Sequence, residues 1–161
     1  MNKREYHEKL GKYFDLTLYY VSGKIVTPMQ AELKKEGDPL MQLSEAEKNI
    51  IGILDCRGDQ KIGDLAAFSK LSYTNMSKFV DRIEREGYVE RYIDPECRRN
   101  VYVRITEKGK KLHGDFLDKI YEKAEERFDR LYTEAEQEEV MKQFEALLNM
   151  LSRFDEESEE K

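Results

Sequence analysis

Leu10, Tyr13, Phe14, Thr17, Tyr20 and Val21 recur at three- and four-residue steps, so residues 3–25 carry one apolar stripe and read as an amphipathic helix. Pro28 lies near its expected end, and the stretch 34–39, Lys-Lys-Glu-Gly-Asp-Pro, reads as a polar connector with a turn signal. Ser44 with Glu47 three residues on is a capping-box pattern, in which each side chain satisfies an amide at the helix start. The apolar face that follows is Ala46, Ile50, Ile51, Ile53 and Leu54, and Arg57-Gly58-Asp59 ends it. A short helix over 63–68 turns Leu65 and Ala66 inward. Ser72 caps a longer one whose buried stripe is Met76, Phe79, Val80 and Ile83. Gly87 is placed to stop that helix in the left-handed conformation that a Cβ would penalise.

Then the period changes. Residues 88–93 and 101–105 are β-branched, aromatic and roughly alternating, and the charged, proline-containing stretch 94–100 joins them, which predicts a β-hairpin with an exposed tip. Thr106 can cap the next helix, through Leu112, Phe116, Ile120 and Tyr121 toward Leu131. A last helix over about 133–154 shows Val140, Phe144, Leu147, Leu148 and Leu151 on one face, and the Glu-rich end beyond Asp155 is expected to fray. All three prolines, Pro28, Pro39 and Pro95, are read as turn or loop positions. The predicted fold class is mainly α with a small β-hairpin.

Composition narrows the function classes. Equal shares of charged and hydrophobic residues, 39% each, describe a soluble chain able to build a core, and no apolar run approaches the roughly 18 residues that span a bilayer. With no apolar stretch after the charged first residues and only two cysteines, Cys56 and Cys97, the chain reads as cytoplasmic. The net charge of −6 opposes a nucleic-acid partner, but its distribution does not. Residues 70–111 hold 11 Lys and Arg against 7 Asp and Glu, a balance of +4, and the remainder carries −10. Because screening limits the reach of distant charge to about 10 Å, DNA needs positive charge only where it is met.

Three helices followed by a hairpin form the winged helix-turn-helix pattern, in which a capped helix enters the major groove and the charged hairpin reaches the neighbouring backbone or minor groove. The residues here resemble the MarR family in particular. Leu43-Ser44-Glu45-Ala46-Glu47 with Ile50-Ile51-Gly52-Ile53-Leu54 is similar to its opening, and Gly63-Asp64-Leu65-Ala66 to its short helix. The run from Ser72 to Val89 resembles the recognition helix and the entry to the wing. Asp94-Pro95-Glu96-Cys97-Arg98-Arg99 and then Ile105-Thr106-Glu107-Lys108-Gly109 resemble the wing and its exit. The resemblance covers about residues 43–112. It implies a homodimer joined by long N- and C-terminal helices, bound to a pseudo-palindromic operator in double-stranded DNA and responsive to a small-molecule effector. The expected division is 1–40 for an N-terminal dimerisation helix and connector, 41–112 for the DNA-binding region, and 113–161 for C-terminal dimerisation helices with an acidic tail.

On the recognition helix the residues expected to meet DNA are Ser72, Tyr73, Thr74, Asn75, Ser77, Lys78 and Arg82, whose hydroxyls, amides and cations suit base edges and phosphates. Asp81 and Glu84 are expected to orient a basic neighbour. In the wing, Arg99 matches the family's minor-groove arginine, and Arg98 and Asn100 suit phosphates. The family usually has an aspartate two residues before that arginine; here the position is Cys97, which implies a looser wing. Arg98 and Arg99 would favour its thiolate, so Cys97 is a candidate redox switch, although a thiol on a hairpin can simply be exposed, the simpler account of the position. Cys56 reads as a small core residue. An effector pocket is implied between the dimerisation and DNA-binding regions, with Tyr13 and Tyr20 as candidate walls, a spacing that also suits core or interface tyrosines.

An enzyme finds little support. His7 and His113 are isolated, with no Cys or carboxylate at metal-binding helix spacing, and there is no glycine-rich phosphate loop or nucleophile elbow. No metal or cofactor is expected. Two alternatives stay open: a winged helix that binds protein and not DNA, favoured by the acidic balance, and a thiol-based redox regulator acting through Cys97.

Overall fold

The computed structural model describes residues 2–94 and 100–152. The chain divides into two compact units, Met1–Ile120 and Tyr121–Lys161.

Unit 1 opens with α1, Lys3–Leu18, capped by Asn2, whose side chain accepts from the Glu5 amide at 2.9 Å. The helical path does not stop near Pro28 as the sequence reading expected. It widens into a π-helical segment, Tyr19–Val26, and continues as α2, Thr27–Lys35, with Pro28 in the first turn. Proline is tolerated there because a first-turn N–H has no partner to lose. The Thr27 hydroxyl donates to the Ser22 carbonyl at 2.7 Å, satisfying one acceptor where the ladder changes pitch. The polar connector 34–39 is exposed as its composition suggests except at Asp38. Asp38 is buried, accepts from the amides of Leu40 (3.0 Å) and Met41 (3.3 Å), and thereby starts a 3₁₀ turn, Leu40–Gln42, that delivers both apolar side chains to the core.

Helix α3, Glu45–Arg57, carries the expected capping box and buries Ile50, Ile51 and Leu54. Gly58 ends it at φ +74°. Cys56, expected in the core, is exposed, because the inward face of α3 is already taken by residues 50, 51 and 54 and position 56 falls on the other side. A two-residue strand β1, Gln60–Lys61, leads into α4, Ile62–Phe68, and then α5, Tyr73–Arg85. Strands β2, Val89–Ile93, and β3, Val101–Ile105, form the hairpin, and the antiparallel sheet runs β1-β3-β2. Strand β1 is too short to show any period, which is why the sequence did not announce it.

Helices α2, α4 and α5 end in the same way. The amides of residues 38, 71 and 88 bond back to the carbonyls of Leu33, Ala66 and Ile83, with residues 37, 70 and 87 in the left-handed region. Two of those positions are glycines, Gly37 and Gly87; the third is Lys70, at φ +53°.

Helix α6, Glu107–Leu131, leaves the sheet through Thr106, whose hydroxyl donates to the Gly87 carbonyl at 2.7 Å and accepts from the Gly109 amide at 3.1 Å. A Cβ at Gly109 would stand 2.1 Å from the Tyr88 carbonyl oxygen, so only glycine lets α6 approach the hairpin this closely. Polar contacts tie α6 to the rest of unit 1, among them Lys119 Nζ to Asp38 at 2.6 Å, His113 Nδ1 to Asp55 at 2.7 Å and Lys108 Nζ to the Glu86 carbonyl at 2.6 Å. His113, isolated in the sequence, is thus a buried, paired residue.

Unit 2 holds the end of α6 and α7, Glu134–Leu151. Thr133 and Glu136 form a second capping box, and its hydrogen bonds hold the Glu136 carboxyl below its ordinary pKa. Helix α7 leaves Met141, Phe144 and Leu148 exposed. Among the described residues no helix is long and apolar enough to cross a membrane.

Candidate nucleic-acid interface

Helix α5 begins at Ser72, whose hydroxyl accepts from the Asn75 amide at 3.3 Å. Met76, Val80 and Ile83 lock its inner face into the core with Phe79 half-buried beside them. That leaves Thr74, Asn75, Lys78 and Arg82 exposed along the outer face, with Ser72 and Tyr73 exposed at the start of the helix. Six of the seven helix residues expected to meet DNA are therefore open to solvent. Ser77 does not join them fully: it is half-buried, and its hydroxyl accepts from Arg91 at 3.3 Å.

Arg82 has an internal partner that the sequence did not reveal. Its Nε lies 3.3 Å from Oε1 of Glu47, a carboxylate with no solvent exposure. The other oxygen, Oε2, accepts from the amide and hydroxyl of Ser44, both at 2.8 Å. Oε1 accepts no aligned hydrogen bond, so the guanidinium compensates it by charge alone. The Arg82 side chain itself is 60% exposed, so its remaining N–H groups are accessible to solvent.

Asp81 and Glu84 do orient a basic neighbour, and that neighbour is Arg91 on β2. Its Nη1 sits 2.5 Å from each carboxylate, and its Nη2 donates to the Ser77 carbonyl at 2.9 Å. The strand register made this position visible in principle. Val89, Arg91 and Val103 face inward, so Arg91 is a charged residue on the apolar side of an alternating strand.

The outer face of the sheet is a layer of rings and cations. Tyr92 and Tyr102 stack at 5.4 Å, with Arg104 over Tyr92 and Lys61 over Tyr102. Arg104 also bonds Glu90 at 2.7 Å across the strands. The Tyr92 hydroxyl donates to Asp59 at 2.8 Å, and this bond raises the phenol's pKa above its ordinary value. At the base of the connector, the Asp94 amide donates to the Asn100 carbonyl at 3.1 Å. Cys97, Arg98 and Arg99 lie outside the described residues.

Tyr13 and Tyr20 stand exposed on α1 and the π-helical segment, with Tyr20 edge-on to Tyr19 at 5.3 Å. Among the described residues no group of three or more His, Cys, Asp or Glu could hold a metal ion.

This architecture and this sequence have relatives. A model of the MarR family matches residues 43–101, from the entry of α3 to the start of β3. The Bacillus subtilis protein YpoP, an uncharacterized HTH-type transcriptional regulator, is 32% identical over 95 residues, which cover 59% of this chain and 67% of YpoP. The chain belongs to the MarR family. Solved structures agree with a MarR fold throughout. The transcriptional regulator Tm0710 from Thermotoga maritima superposes with a TM-score of 0.73 at 20% identity, over 88% of this chain and 96% of its own. A single-residue mutant of S. aureus MepR, solved bound to an oligodeoxyribonucleotide, gives a TM-score of 0.60 at 18% identity over 86% of this chain and 97% of its own. The match spans only 44% and 61% of two further curated relatives, both HTH-type transcriptional regulators from Bacillus subtilis.

Proposed function

We propose that this MarR-family chain is a DNA-binding transcription regulator that acts in the cytoplasm as a homodimer on a pseudo-palindromic operator. The observation that carries this reading is the start and outer face of α5, where Tyr73, Thr74, Asn75 and Lys78 stand exposed on a capped, core-anchored helix beside a hairpin. Such a helix fits the major groove, its hydroxyl and amide groups facing base edges and its cations facing phosphates. In this reading Ser72, Ser77, Arg82 and Asn100 add to the contact, and Arg98 and Arg99 supply the wing's cations. Residues 41–112 bind DNA, while 1–40 and 113–161 join two copies. The exposed apolar side chains of α1 and of α7, each in its own unit, support that assignment. Effector response rests on family membership, with Tyr13 and Tyr20 open to a ligand. The protein works without catalysis or a cofactor.

The test is fluorescence anisotropy of the full chain against the DNA upstream of its own gene, with a scrambled duplex alongside, across a salt series. Tight, selective binding that weakens by about 0.9 log units per log unit of salt for each neutralised phosphate supports the reading. Arg99→Ala should then bind about tenfold more weakly, and affinity within about twofold of the parent would remove the wing from the contact. Failure to select any duplex, from the upstream region or a random pool, would favour a winged helix that binds protein.

A further inference from the structure

Arg91 is a heavily bonded side chain at the edge of the proposed DNA surface, and all its side-chain partners lie on α5. It sits on the inner face of β2, opposite the fully buried Val103, in a position that strand alternation reserves for an apolar residue. Its own amide donates to Glu84 Oε1 at 2.9 Å, Nη1 bonds Glu84 Oε2 and Asp81, and Nη2 bonds the carbonyl and hydroxyl of Ser77. Residues 77, 81 and 84 lie on one face of α5, spaced by four and three. One planar guanidinium thus spans more than a full turn of the recognition helix and fastens it to the strand that carries the wing.

From this geometry we infer that Arg91 is a positioning residue for DNA binding, setting the angle between the hairpin and α5 so that both reach one duplex together. The inference rests on the DNA-binding reading above. It differs from a purely electrostatic role, in which Arg91 would merely cancel two carboxylates that would otherwise repel phosphates. A lysine keeps the charge but cannot reach the two carboxylates and the Ser77 carbonyl together, because it lacks the planar fork. Charge and tether can therefore be separated by substitution.

The experiment compares the full-length wild type with R91K and with the triple variant R91A/D81N/E84Q. It measures operator anisotropy and amide hydrogen exchange in the unbound proteins. The tether predicts about tenfold weaker operator binding for R91K, and no recovery in the triple variant although its excess negative charge is gone. It also predicts faster exchange in β2 and β3, with α3 protected as in the wild type, which a global loss of stability would not produce. Wild-type affinity and exchange in R91K would overturn the inference, as would restored binding in the triple variant. If the wild type selects no DNA, the DNA-binding reading falls by itself. The exchange pattern then decides whether Arg91 holds hairpin and helix together.

Discussion

The guanidinium of Arg82, exposed on the outer face of α5, stands 3.3 Å from the fully buried Oε1 of Glu47 at the start of α3. A buried carboxylate without a counter-charge is strongly disfavoured, so an arginine on the proposed DNA surface also compensates the start of α3. Arg82→Ala should destabilise the protein by about 2 kcal/mol, toward the low side for a broken buried pair because the arginine head is already solvated. Adding Glu47→Gln removes the stranded charge and should restore a good part of that loss. Urea denaturation midpoints decide the matter, and an unchanged midpoint for Arg82→Ala would mean that the pair contributes nothing.

Lys70 takes the left-handed conformation that Gly37 and Gly87 take at the two equivalent helix ends. A Cβ there costs about 1–2 kcal/mol, part of which is offset because a lysine leaves the unfolded chain less free than a glycine does. Lys70→Gly is therefore expected to raise stability by about 0.5 kcal/mol, while the β-branched Lys70→Val lowers it. Thermal unfolding of the three proteins should rank them Gly above Lys above Val. Any other order would show that the turn relaxes.

The bond from Tyr92 to Asp59 favours the protonated phenol. Because the folded-state pKa is raised, the contribution of this bond is fully present below the ordinary tyrosine value of about 10 and is lost as pH rises through the folded value. In a spectrophotometric titration Tyr92 should ionise later than an unperturbed tyrosine, and Asp59→Asn should bring it back toward the ordinary range. A difference curve against Tyr92→Phe isolates this one among the ten tyrosines. Identical curves for wild type and Asp59→Asn would contradict the assignment.

Phe144 and Leu148 lie one turn apart on α7 and are 42% and 63% exposed in the single chain. If α7 joins two copies, Phe144→Asp with Leu148→Asp should leave the helix content unchanged and produce monomers, because charges would be buried unpaired only in the dimer. Light scattering reads the mass, and a surviving dimer would place the interface elsewhere.

The chain by itself determined helices α3 to α7 and the hairpin strands β2 and β3, the caps at Ser44 and Ser72, the stop at Gly87 and the polar outer face of α5. Each is written in neighbouring residues: a period of 3.6 or 2, an acceptor three positions before an amide, a glycine where a Cβ would clash. The same local logic misjudged Pro28, which opens α2 instead of ending a helix, and Cys56, which lies outside the core. Tertiary structure alone decided the pairings that position the candidate interface. His113 meets Asp55 and Lys119 meets Asp38 across 58 and 81 residues, Arg82 compensates Glu47, and Arg91 gathers three side chains of another element. No local pattern specifies such partners, because a long charged side chain has the same propensity whether its counter-charge is near or far in sequence. Which partner it finds depends on how the buried apolar faces bring the elements together.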